Sequence, residues 1–236
     1  MPPELIRVAE LPSTMESAHA LALDGAEHGT TVVAGRQLSG RGTRGRSWSS
    51  EPGGLWLSVV ARPSRTDALE ALSLRVGLAV AQALEAACPA LPRLGVKWPN
   101  DIVIDGRKLA GILCEARWGS GKCQWVIVGL GLNVRNVIPD ELQSSAVALS
   151  IWDATADPVD LAAPIAAAIA GAAREAGPLS PPERAAFALR DALAGARVSE
   201  PVAGTAAGIT PLGALQVRSD IGTMTEVIAG VVAIPK

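Results

Sequence analysis

The chain predicts an α+β fold, a mixed or antiparallel sheet with helices packed on it, followed by a small all-β unit. Three observations carry this. The order of strand-like and helix-like segments is the first. The second is a change of texture near Arg197, beyond which short β-prone runs are separated by Gly and Asp turns. The third is composition: hydrophobic residues make up 49% and aromatics only 3%, with no Tyr and one Phe, so a core must be built mainly from Ala, Val, Leu and Ile. That is globular composition rather than disorder.

The elements follow in order. Leu5–Val8 is a short apolar strand candidate. Ser13-Thr14-Met15-Glu16 fits a capping box, and Met15, Ala18 and Ala22 recur at helical spacing, so residues 14–24 predict a helix. Thr31–Ala34 reads as a buried strand, residues 35–46 as a glycine-punctuated loop, and Leu55–Ala61 as a strand closed by Pro63. Leu69, Leu72, Val76, Ala79 and Ala83 place residues 67–87 in a long amphipathic helix. Strands follow at Leu94–Trp98 with Asp101–Ile104, at Lys108–Arg117 and at Gln124–Val134, with Asp105-Gly106 as a hairpin turn. Residues 160–176 and 182–194 are Ala-rich and helical, Pro164 being tolerable only near the start of the first. Strand candidates Arg197–Val202, Gly204–Ile209, Leu212–Val217 and Thr225–Val232 then form a small β-barrel or sandwich, too small to be stable alone and expected to dock on the first unit. The expected division is 1–195 and 196–236.

Several function classes are disfavoured. A formal charge of −2 argues against a general polyanion binder. Cys88, Cys114 and Cys123 have no paired spacing and read as buried reduced thiols, and His19 and His28 are not spaced as metal ligands. No signal peptide is visible, and no apolar run approaches the roughly 20 residues that span a bilayer. A cytoplasmic location is the expectation, with no membrane association.

Four segments carry chemistry. Residues 35–46 hold four Arg among four Gly and no acid, fixed charge on a backbone that a ligand can approach closely; a solvated basic loop would look the same. Lys97-Trp98-Pro99-Asn100-Asp101 puts a cation and a carboxylate at one strand end, suited to a phosphate and to a magnesium ion or its water shell, or else an incidental ion pair. Lys108 stands in the otherwise apolar Lys108-Leu109-Ala110-Gly111-Ile112-Leu113, either snorkelling or meeting an anion. In Gly129-Leu130-Gly131-Leu132-Asn133 alternating glycines bare one strand face, for a thin ligand or for a closely packed helix.

Taken in order, the Gln37-x-x-Gly40-Arg41-Gly42-x-Arg44-Gly45-Arg46-x-Trp48 loop, Lys-Trp-Pro-Asn-Asp, Lys-Leu-Ala-Gly-Ile-Leu and Gly-x-Gly-x-Asn resemble the biotin–protein ligase family, collinearly from about Ser13 to Asn133. The resemblance implies a class II synthetase-like catalytic domain and an SH3-like C-terminal barrel. It also implies activation of biotin with ATP as biotinyl-adenylate, then transfer of biotin to a lysine of a carboxylase's biotin carboxyl carrier protein. By motif, Ser13, Thr14, Gln37 and Arg41 would contact the biotin ureido ring and its neighbours, and Gly40, Gly111, Gly129 and Gly131 would line the slot. Lys108 would polarise the biotin carboxyl, aided by Arg41 and Lys97. Arg44, Arg46 and Lys97 would face phosphates, Trp48 and Asn133 the adenine, and Asp101 the Mg2+. ATP and biotin are then substrates, with no tightly bound cofactor, and the chain could be a monomer or a homodimer.

The sequence departs from the family at Thr43, usually an Arg associated with holding the intermediate. It departs also at Met15, usually Asn, and at Gly230-Val231-Val232, usually Gly-Glu-Val. Because the resemblance starts within the first dozen residues, no room is expected for the winged helix that lets some members bind DNA. The alternatives are a lipoate–protein ligase of the same superfamily, an octanoyltransferase using a Cys nucleophile, and a non-enzymatic anion- or nucleic-acid-binding module.

Overall fold

The computed structural model describes residues 4–230, 232 and 233. In chain order come β1 (Leu5–Leu11), α1 (Thr14–Leu23), β2 (Thr31–Gln37), β3 (Leu55–Ala61), α2 (Leu72–Ala87), β4 (Gly95–Lys97), β5 (Asp101–Ile104), β6 (Arg107–Gly119) and β7 (Lys122–Leu132). They are followed by α3 (Pro158–Ala172), α4 (Pro181–Ala188), β8 (Arg197–Val198), β9 (Gly204–Ile209), β10 (Leu215–Arg218) and β11 (Met224–Val227). The first seven strands form one mixed sheet, β1-β2-β3-β7-β6-β5-β4, in which β1 and β2 pair in parallel and the other neighbours antiparallel. The predicted α+β class holds.

The two faces of the sheet are covered by different helices. On one, Leu57, Ile112, Val128 and Leu130 pack against Val76 and Val80 of α2 and Ile165 and Ile169 of α3. On the other, Val32, Trp56, Val60 and Ile127 pack against Met15, Ala18 and Ala22 of α1. Strands β11-β10-β9-β8 make a second, antiparallel sheet. It shares a core with the first unit: Ile209, Leu215 and Val217 meet Leu74, Leu78, Trp98 and Phe187. Trp98 Nε1 donates to Gly213 O at 2.9 Å. Gly213, at φ +84°, approaches Ala71 so closely that a Cβ would come within 2.8 Å of its Cα. The tryptophan of the Lys-Trp-Pro-Asn-Asp segment therefore seats the small unit rather than facing a ligand.

Several expectations change. Ser13 precedes α1 but caps nothing with its side chain. Thr14 N instead donates to Gln37 Oε1 at 2.8 Å. A complete capping box forms at Ser180 and Glu183 of α4. Pro164 lies inside α3, which begins at Pro158, rather than near its start, and its side chain is exposed. The helix predicted over 182–194 stops at Ala188 because the backbone beyond it pairs with the sheet edge: Val96 N donates to Arg190 O, and Ala192 N to Val96 O. At Asp105 (φ 49°) and Gly106 (φ 73°) both central residues of the β5–β6 turn are left-handed, as the hairpin signal required. The predicted run Thr225–Val232 is a strand only over Met224–Val227, and Val231 lies outside the described residues. Among the described residues no helix is long and apolar enough to cross a membrane.

Glu183 also receives Arg75 of α2, Nε to Oε1, at 2.5 Å. Burial pushes this carboxyl up, but Arg75 and the Ser180 hydrogen bonds outweigh burial and hold it at about 2. A depressed folded pKa stabilises above the unfolded value and loses that contribution as pH falls from about 4.5 toward 2. The full shift would correspond to about 3 kcal/mol; with solvent screening of a side chain 30% exposed, about 1–2 kcal/mol is expected. Glu183→Gln should lower urea stability at pH 7 by that amount and lose less than wild type does between pH 4.5 and 2.

Candidate active site

Strand register builds the floor of the site. Lys97 pairs with Asp101, Asp101 with Gly111, Gly111 with Gly131 and Gly131 with Trp56, one row across five strands. Directly paired residues project from the same face, and Trp56 belongs to the α1 side. The next row on that face is Leu113, Gly129 and Ser58.

Lys108 reaches this face through a bulge. Three residues from Gly111, it would point to the opposite face of a regular strand. The β5–β6 register shifts between Ile102↔Ala110 and Val103↔Lys108, leaving Leu109 as the extra residue. Lys108 Nζ consequently lies 3.0 Å from where a Cβ on Gly111 would be. It is also 2.6 Å from Asp101 Oδ1 and 4.8 Å from the centre of the Trp48 ring. It does not snorkel: its side chain is 28% exposed and meets a carboxylate and an aromatic face.

The loop after β2 folds back on itself, with Gly42 N donating to Arg46 O and Trp48 N to Gly40 O, both at 2.8 Å. Gly40 is needed there, since a Cβ would come within 2.4 Å of Trp48 O. The turn lays the Trp48 indole on the bare backbone of the glycine row. A Cβ on Gly131 would meet the indole at 2.5 Å, and one on Gly111 at 2.9 Å. Gly129 is covered in the same way by Met15 Sδ, at 2.5 Å. The space expected over the glycines is thus filled by Trp48, Lys108 and Met15, and a ligand lying on Gly111 or Gly131 would have to shift the indole.

Beside this row is a polar cluster in an otherwise apolar face. Thr14 Oγ1 donates to Gln37 Oε1 (3.0 Å) and meets Ser58 Oγ (2.8 Å). Gln37 Nε2 donates to Ser50 Oγ (2.8 Å). Two buried polar atoms next to it have no hydrogen-bond partner, Ser13 Oγ and Trp48 Nε1. Ser13 is 1% exposed, and an orphaned buried hydroxyl costs about 1–3 kcal/mol, a cost that a ligand supplying the missing partner would remove.

The other expected residues divide. Lys97 is half-buried and makes no ion pair among the described residues, so its charge is available to an anion. Asn133 is buried, its Oδ1 accepting from Asn136 Nδ2 at 3.1 Å. Asn100 spends its amide on Ile112 O at 2.7 Å and is structural. The arginines diverge. Arg36 points to the sheet's outer edge, toward Glu10 and Glu51. Arg46 folds back on Thr43, and Arg44, at φ 60°, is exposed. Arg41 turns to the α1 face, to Glu115. Asp101 is tied to Lys108, and no group of three His, Cys, Asp or Glu among the described residues could hold a metal. The chain's own donors do not form a magnesium cage, and an ion there would depend on phosphate oxygens brought by a nucleotide.

Cys114 packs with the α2–α3 face, away from this site, and burial pushes its thiol up to about 12, so it is no activated nucleophile. The motif reading passed over Ser58, Ser50 and Glu115. Ser58 is the single polar residue in the buried run Leu55–Ala61, a signal that could have found it. Ser50 stands in a loop and gave no such signal.

Comparison with known proteins places this geometry. Residues 7–133 match the model of the biotin/lipoate A/B protein ligase family. The bifunctional ligase/repressor BirA of Bacillus subtilis is 41% identical over 145 residues, 59% of this chain and 44% of that protein. The biotin–[acetyl-CoA-carboxylase] ligase of Paracoccus denitrificans is 40% identical over 129 residues, 54% of this chain and 53% of that one. The chain thus matches about half the length of these relatives. The structure of the Aquifex aeolicus biotin protein ligase in complex with biotin and ATP superposes with a TM-score of 0.82 at 27% identity, covering 99% of both chains. With more than half of its residues matched to the family model, on the strands and loop that build the site, this chain belongs to the biotin/lipoate A/B protein ligase family.

Proposed function

We propose that the chain is an ATP-dependent biotin–protein ligase. The observation that carries this is Lys108, brought by a β-bulge over a row of bare glycines with Lys97 at the row's end. In the first half-reaction a carboxylate oxygen of biotin attacks the α-phosphate of ATP, the Pα–O bond to the β-phosphate breaks, and pyrophosphate leaves. In the second, a carrier lysine attacks the acyl carbon and AMP leaves. Two anions must be held together, so fixed cations are the tools. Lys108 would draw charge from the biotin carboxyl, Lys97, Arg44 and Arg46 would meet phosphates, and Trp48 and Asn133 the adenine. Ser13, Thr14, Gln37 and Arg41 would hold the ureido end, Ser13 Oγ gaining the partner it lacks.

The acceptor we infer is the biotin carboxyl carrier domain of a carboxylase, in keeping with the name of the Paracoccus denitrificans relative. Residues 1–195 would form the catalytic unit and 196–236 the small C-terminal one. Pyrophosphate release should require biotin, ATP and Mg2+, and neither lipoate nor octanoate should support it at similar concentration. Equal rates with lipoate would move the assignment to a lipoate ligase. Binding of nucleic acid that needs neither biotin nor ATP and steepens as salt falls would instead indicate the non-enzymatic class.

A further inference from the structure

Outside the cluster just described, a second chain of polar contacts ends on the glycine–arginine loop. Arg41 Nη2 donates to Glu115 Oε1 at 2.7 Å. The other carboxylate oxygen, Oε2, lies 3.2 Å from His19 Nε2. Trp125 Nε1 lies 3.0 Å from His19 Nδ1. An indole N–H only donates, so Nδ1 is the acceptor, and the neutral imidazole carries its hydrogen on Nε2, aimed at Glu115. Four segments converge: the loop, β6, α1 and β7. Arg62 stiffens the far end, over the Trp125 ring at 5.9 Å and donating to Ala22 O and Ala26 O past α1.

Glu115 pairs with Ile127, whose neighbour on β3 is Val60, two rows along the same face from the row of Gly111 and Gly131. The loop is therefore fastened at two points on one face, by Trp48 on the glycines and by Arg41 on Glu115. We propose that Glu115, oriented by His19, is a positioning residue that latches the loop through Arg41 and presents the remaining guanidinium N–H groups to the ligand. Arg41 Nε and Nη1 make no hydrogen bond among the described residues, so they are available for this. A carboxylate held on both oxygens is a fixed anchor, whereas a singly held one would rotate. The ligand in question rests on the ligase reading above; the latch does not.

The test uses the whole chain without ligand. Exchange of the Gly42 and Trp48 amides, which bridge the loop internally, reports its fastening, and the Val128 amide in the sheet controls for the fold. Glu115→Gln should speed loop exchange about tenfold, as for loss of a charge-assisted contact that is partly exposed, and leave Val128 unchanged. In pyrophosphate release at saturating ATP the same variant should raise KM for biotin about tenfold, on the same ground, with kcat unchanged. His19→Leu should shift both readings the same way. His19→Gln, whose amide can both donate to Glu115 and accept from Trp125, should restore them. Wild-type loop exchange in Glu115→Gln, a fall in kcat at constant KM, or no rescue by His19→Gln would overturn the latch. A wild-type chain inert toward biotin and ATP would sink the ligase reading and leave the exchange rates to decide the latch.

Discussion

Lys108→Ala should lose adenylate formation by about a hundredfold to a thousandfold, the range found when one preorganised donor to a developing charge is removed. The chain should stay folded. Lys108 is paired with Asp101 at 2.6 Å, but both side chains are about a quarter exposed, so breaking the pair should cost roughly 1 kcal/mol. Asp101 would be left facing the site, and its charge could itself repel biotin or ATP. Lys108→Ala/Asp101→Asn separates the two effects. If the double variant recovers activity, the loss came from the bared carboxylate. If it stays as slow as the single variant, the ammonium acts on the reacting groups. The measurement is single-turnover formation of biotinyl-adenylate with urea stability alongside. Near-normal turnover in Lys108→Ala would make Lys108 a structural partner of Asp101 and leave the proposed mechanism without its main cation.

Thr43→Arg should slow escape of the adenylate by roughly tenfold to a hundredfold. The family usually has an Arg here, and a guanidinium beside an acyl phosphate is worth about 1.5–3 kcal/mol as a charge-assisted contact, at about 1.4 kcal/mol per decade. In this chain Arg46 Nη2 donates to Thr43 Oγ1 at 3.1 Å, and Arg46 Nε reaches Thr43 O at 3.4 Å. The threonine thus engages the neighbouring guanidinium within the loop. With its own Arg at 43, the loop should keep the intermediate longer and put less biotin on a bystander protein that no carrier recognition selects. Dissociation of the adenylate and labelling of the bystander are the two readings. Indistinguishable release rates would mean that Arg44 or Arg46 already supplies the contact in the wild type.

The sequence by itself located the strands, most of the helices, the β5–β6 turn and the small C-terminal sheet, though strands of that sheet are shorter than predicted: Arg197–Val198 for Arg197–Val202 and Met224–Val227 for Thr225–Val232. These follow from local causes: periodicity, Gly and Asp turn chemistry, and alternation of apolar residues. It also singled out the candidate site residues, because their order along the chain resembles that of a family. It misplaced the end of α4, where pairing of Arg190 and Ala192 with Val96 overrides helix propensity. It also misassigned the cap of α1, which a glutamine from β2 supplies across space.

Where each site residue points was decided only by tertiary structure. Period-two counting puts Lys108 and Gly111 on opposite faces, and a bulge at Leu109, visible only in the β5–β6 register, brings them together. The alternating glycines left a thin ligand and a closely packed helix both open. The fold puts Trp48 and Met15 on them, because the loop closes through Gly40 and α1 lies over β7. Four arginines close in sequence read as one anion site, yet Arg36 pairs at the sheet edge, Arg46 folds back on Thr43 and Arg41 is drawn to the α1 face. The carboxylate that draws it, Glu115, lies 74 residues away along the chain, and no local pattern encodes a partner at that separation.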